Sequence, residues 1–188
     1  MRTLHRLSGM TLLELLVAVA ILAILLAIGI PSLRSMSETE AVRGHLNAFF
    51  STQRYARSEA IRHRAPVVVC PSTSSESASP SCSKDDAERW NQGWIVFVNR
   101  DGDPSYSFDA KRDALLRVQG AISNSGGIEK ISGATPNKLV YRNTGLLLAG
   151  GASSFTFDSK SMSESQRKRV CISLQGRARI SASLTGCS

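Results

Sequence analysis

A chain of 188 residues has room for one modest domain beyond any membrane segment. It carries four cysteines but no Cys-x-x-Cys pair, and of its three histidines one is His5. That usage argues against zinc and for two disulfides made in an oxidising compartment. The net charge of +8 is uneven: residues 129–188 hold nine basic and three acidic side chains, an excess that suits a polyanion or simply keeps a small domain soluble.

A short basic leader, Arg2, His5 and Arg6, stops at Gly9. From Met10 to Ile30 the only charge is Glu14. As a helix this run is about 31 Å long, enough to cross the hydrocarbon core of a bilayer. An ionised acid inside a membrane costs roughly 2.5–3.5 kcal/mol, so Glu14 calls for a partner. A cut between Gly9 and Met10 supplies one, an amino group one helical turn away that can neutralise this carboxylate or a neighbour's. A secretory signal usually has a shorter core without an acid. A plain anchor gives no reason for Gly9 or Glu14, and a soluble core helix is not apolar on every face. The order Leu7-Ser8-Gly9-Met10-Thr11-Leu12-Leu13-Glu14-Leu15 resembles the start of type IV prepilins and of the pseudopilins of type II secretion. The resemblance implies a leader, residues 1–9, removed by a prepilin peptidase, and a methylated Met10. It also implies a segment, 10–30, that holds the chain in the inner membrane and later meets other pilins.

Pro31 can kink a helix without ending it. Beyond it Val42, Leu46, Phe49, Gln53, Ala56 and Ala60 recur at spacings of three and four, which predicts an amphipathic helix over 31–65. Arg43, Arg54, Arg57 and Arg62 are expected mostly away from its packed face, and Pro66 ends it. Tyr55-Ala56-Arg57-Ser58-Glu59-Ala60-Ile61-Arg62 leading into Pro66-Val67-Val68-Val69-Cys70 resembles the FimT/GspH branch of minor pilins. So does Trp90-x-x-Gly93-Trp94-Ile95-Val96-Phe97, read as a strand. The tryptophans and valines are core residues on this reading.

The serine-rich run Pro71–Ser83 is a surface loop that holds Cys82. Four cysteines allow three pairings; nearest-neighbour pairing, Cys70 with Cys82 and Cys171 with Cys187, is preferred over the others. A Cys70–Cys82 bridge would add about 3 kcal/mol by restricting the unfolded chain. Asn99-Arg100-Asp101-Gly102-Asp103 looks like half a calcium loop, but it lacks the closing Glu and reads as a hairpin turn. Further strands are predicted at 114–118, 139–142, 146–148, 155–157, 170–174 and 178–183, with a turn at Asn124-Ser125-Gly126-Gly127. The expected architecture is α+β: a long helix packed on a β-rich domain, residues 66–188.

In the last hairpin Val170, Ile172 and Leu174 alternate and are expected to face the core. Gln175-Gly176 is the expected turn, and Ala178 and Ile180 alternate with Arg177, Arg179 and Ser181. Arg177 and Arg179 then project from one face, about 6.7 Å apart. Two such guanidiniums can each grip a phosphate. Arg167, Lys168 and Arg169 join the same field if the strand register brings them near. Gly176-Arg177-Ala178-Arg179 resembles the Gly-Arg-x-Arg motif of FimT-type minor pilins, which implies sequence-independent, salt-sensitive DNA binding for uptake in natural transformation. The competing reading is a structural pseudopilin or assembly-priming subunit, in which these arginines are a solvated strand face or pair with a neighbouring subunit. No nucleophile–base pair is visible, so catalysis is not expected, and no cofactor or metal is implied.

Overall fold

The computed structural model describes residues 11–83, 90–122, 127–132, 138–148, 152–159, 162, 167–181 and 187. The chain divides into two compact units, residues 1–37 and 38–188, and helix α1 (Leu12–His63) belongs to both. Gly9 and Met10 lie outside the described residues.

In the first unit α1 begins with Thr11 as its N-cap. The Thr11 hydroxyl accepts the Glu14 N–H at 3.2 Å and the Thr11 carbonyl accepts the Leu15 N–H at 3.1 Å. Glu14 therefore stands at the third helical position, where an acid also meets the positive end of the helix dipole. The large apolar side chains from Leu12 to Ile30 are exposed, and the helix is long and apolar enough to cross a membrane.

In the second unit the expected face of α1 is the buried one: Val42, Leu46, Phe49, Gln53, Ala56 and Ala60 are all covered. The helix stops at His63, where Arg64 takes a φ of 52° and Pro66 follows without an N–H to continue the ladder. Two antiparallel sheets complete the unit. The first has the order β3-β2-β1-β5, built from β1 (Val67–Pro71), β2 (Trp94–Val98), β3 (Ala114–Gln119) and β5 (Leu139–Tyr141). The second runs β4-β6-β7-β8, built from β4 (Gly127–Ser132), β6 (Ser153–Asp158), β7 (Lys168–Ile172) and β8 (Ala178–Ser181).

Phe49 is the centre of the core. Its ring lies 5.4 Å from Trp90, 5.5 Å from Trp94 and 4.6 Å from Phe155, mostly edge-on or tilted, as the ring quadrupoles favour. Two hydrogen bonds between buried side chains beside it cross from one element to another. The Trp94 indole donates to Thr52 Oγ1 at 3.2 Å, and the Tyr141 hydroxyl donates to Gln53 Oε1 at 3.1 Å. Burial pushes the Tyr141 phenol far above its usual range. The first sheet is covered on both faces: Val67, Val69, Trp94 and Val96 join the main core. Val68, Cys70, Ile95 and Phe97 pack with Tyr106, Phe108 and Cys82. Burial on both sides is why β1 and β2 read as unbroken apolar runs rather than alternating ones.

Several expectations are corrected. Trp90 is not on a strand but on a single 3-10 turn, Trp90–Gln92, from which it still reaches the core. Asn99–Asp103 is not a tight hairpin turn; it opens the long connection from β2 to β3. There the Asp113 carboxylate accepts the backbone N–H groups of Arg100 and Asp109 at 2.9 and 3.0 Å. Residues 146–148 form no strand, only a bridge between Leu147 and Tyr141. Strand β4 begins at Gly127, where a turn was expected. Residues 124–126 of that turn lie outside the described residues.

Candidate functional site

The β7–β8 hairpin presents the candidate residues. Its strands pair Arg169 with Ser181, Val170 with Ile180, Cys171 with Arg179 and Ile172 with Ala178. Gly176 N–H closes onto the Ser173 carbonyl at 2.8 Å, and Ser173 N–H onto the Arg177 carbonyl at 3.0 Å. The loop is thus three residues, Leu174-Gln175-Gly176, with Gly176 at a φ of 71°. Leu174 sits in this loop and is exposed, not in the core, and Ile180 is exposed because β8 is an edge strand. A Cβ on Gly176 would stand 2.1 Å from the Gly145 carbonyl oxygen, so glycine is required by packing as well as by φ.

Arg177 and Arg179 are both exposed and line one concavity of about 600 Å³ beside the hairpin. The Arg179 guanidinium donates to the Cys187 carbonyl. Cys187 is disulfide-bonded to Cys171, the residue opposite Arg179 in the ladder, and Cys70 is bonded to Cys82. The register puts Arg169 on the same face as Cys171 and Arg179, and alternation adds Arg167 and excludes Lys168. Yet Arg169 is buried, and Arg167 is half-buried with its Nε 3.0 Å from Asp158. Of the six residues expected to meet DNA, the structure therefore presents Arg177 and Arg179 openly. It withdraws Arg169, engages Arg167 with a carboxylate and turns Lys168 to the other face.

Arg57, expected mostly away from the packed face, also departs from the periodicity. It is not held away from the packed elements; its Nε donates to the Gly145 carbonyl at 3.1 Å, and its side chain lies 3.3 Å from where a Gly176 Cβ would be. Its position next to the core residue Ala56 was the available signal. Leu147 N–H also reaches the Leu174 carbonyl at 3.0 Å, so the hairpin is fastened to the segment after β5. Among the described residues no group of His, Cys, Asp and Glu converges as a metal-ligand set.

Comparison with known proteins decides the family. The profile described as type II transport protein GspH matches residues 45–176, and that of the prokaryotic N-terminal methylation motif matches residues 5–30. The chain belongs to the GspH family. No curated protein matches it. Among solved structures it is similar to the type IV minor pilin FimU of Pseudomonas aeruginosa strain PAO1 in two crystal forms. The first is 17% identical with a TM-score of 0.56, covering 78% of this chain and 92% of that one. The second is also 17% identical, with a TM-score of 0.53, covering 74% and 91%. The chain is thus a non-enzymatic minor pilin or pseudopilin of a type IV pilus or type II secretion system, with a pilin-like fold. Its methylation motif implies processing by a prepilin peptidase and assembly with other pilins, and its apolar helix is consistent with an inner-membrane prepilin.

Proposed function

We propose that this GspH-family subunit acts as a FimT-type minor pilin, gripping extracellular DNA through Arg177 and Arg179 for uptake. On this reading the Gly9–Met10 bond is cut, the 10–30 segment leaves the inner membrane for the pilus, and the 66–188 domain is carried to the cell surface. The carrying observation is that Arg177 and Arg179 are exposed and open onto one concavity. The ion pairs among the described residues all lie on other side chains. Guanidiniums so placed suit phosphate oxygens, and contacts to phosphate carry no base readout, so the affinity expected on this reading is sequence-independent.

A second reading is a structural subunit without DNA binding. The GspH profile and the likeness to FimU favour it, since both are described as transport or pilus components. A duplex-DNA titration at about 50 and about 200 mM salt separates the two. The full chain in neutral detergent is compared with its Arg177→Ala, Arg179→Ala double variant, with folding followed by circular dichroism. Salt-sensitive binding lost in the folded variant supports the DNA reading. No binding at low salt leaves the structural one, and equal binding by both proteins moves the DNA site away from Arg177 and Arg179.

A further inference from the structure

We infer that the Cys171–Cys187 disulfide is a positioning device for the polyanion site: it carries the Cys187 carbonyl to the Arg179 guanidinium, so the hairpin's grip depends on that bond. The inference rests on the DNA reading of the same hairpin. Strand β8 is a four-residue edge with one neighbour, so its side chains gain support from one side only. Arg179 is exposed there, and an exposed arginine must be ordered before it can hold a phosphate. Cys171 is buried in β7 directly opposite Arg179, and the disulfide fixes Cys187 over that pair. The Cys187 carbonyl then accepts from Arg179 Nη2. A guanidinium has five N–H donors in a rigid fork; with one Nη2 donor on Cys187, the remaining edge is free to meet a phosphate. Arg177 lines the same concavity, yet no hydrogen bond from its side chain is found among the described residues. Arg179 is therefore the preset member of the pair and Arg177 the adaptable one.

Pre-ordering one long side chain strengthens binding by about three- to tenfold. Removing the bond leaves every positive charge in place, so the salt slope should hold while affinity falls. The test titrates duplex DNA into the full chain in neutral detergent. It compares wild type, Cys171→Ala with Cys187→Ala, Arg179→Ala, and all three changes together, with near-ultraviolet dichroism confirming the core. The cysteine pair should weaken binding about three- to tenfold at unchanged salt slope, and Arg179→Ala should then cost less than it does in wild type. Wild-type affinity without the bond, or an equal cost of Arg179→Ala in both backgrounds, overturns the inference. If the cysteine variant does not fold, the single arginine variants decide. Arg179→Ala should then weaken binding more than Arg177→Ala, and an equal or reversed order overturns the idea. If wild type binds no DNA the functional reading fails separately, and the positioning claim is judged by the Arg179 Nη2–H resonances. A signal protected from exchange that is lost without the disulfide supports it, and one unchanged overturns it.

Discussion

Acidification from about pH 7 to about pH 5 should weaken the core through one side chain, His45. It is fully buried, stacked on Trp94 at 5.6 Å with rings 4° from parallel, and edge-on to Phe157 at 5.8 Å. Desolvation lowers its pKa from 6.5 to about 4, against a smaller opposing effect of the hydrogen bond to the Trp90 backbone. The unfolded chain therefore binds a proton that the folded one refuses between those two values. Stability is whole above about 6.5 and is lost as the pH falls toward the folded value. The complete shift corresponds to about 3 kcal/mol, of which about 2 kcal/mol is expressed between about pH 7 and about pH 5. Asp103 and Asp109 have carboxyls held below their ordinary 3.8 by hydrogen bonds from Ser105 and Lys111 respectively, so they respond only at lower pH. Urea unfolding of residues 38–188, followed by tryptophan fluorescence, measures the difference. His45→Phe keeps an aromatic ring against Trp94 but cannot titrate, so its stability should lose this pH dependence whatever its absolute value. A wild type equally stable at both pH values would refute the reasoning, as would a variant that keeps the full difference.

Truncating Phe49→Ala empties the space between Trp90, Trp94 and Phe155 and should cost about 3–5 kcal/mol in the same urea assay. Thr52→Val removes the acceptor of the buried Trp94 indole and should cost about 1–3 kcal/mol, with a change in the near-ultraviolet tryptophan band. Gly176→Ala combines a left-handed φ of 71° with a Cβ 2.1 Å from the Gly145 oxygen. It should lower stability by more than about 1 kcal/mol in the urea assay. Cys70→Ala with Cys82→Ala opens a loop of sequence separation 12 and should cost about 3 kcal/mol while leaving the hairpin disulfide intact.

The helical face from Val42 to Ala60 was legible because its spacing of three and four survives whatever packs on it. So were β1 and β2, whose valines can be satisfied only by burial. Disulfide partners emerged correctly from proximity in sequence. Strand β4 was not legible: Gly127-Ile128-Glu129-Lys130-Ile131-Ser132 is short, and its pairing with β6 shifts register between Lys130 and Ser132. Trp90 was misplaced because an aromatic signals burial without saying which backbone delivers it.

At the hairpin the division is sharper. By itself the sequence determined that a turn with glycine stands near residue 176, that two arginines follow at alternate positions, and that the apolar run Met10–Ile30 can span a membrane. Those are matters of spacing and composition along one strand or one helix. Whether a given arginine is available was decided only by tertiary structure. Arg169 and Arg179 share a face and a residue type, yet β7 is a central strand and β8 an edge, so one is buried and the other exposed. Periodicity assigns a side chain to a face; what lies against that face depends on residues outside its own strand, here Asp158 for Arg167 and Cys187 for Arg179.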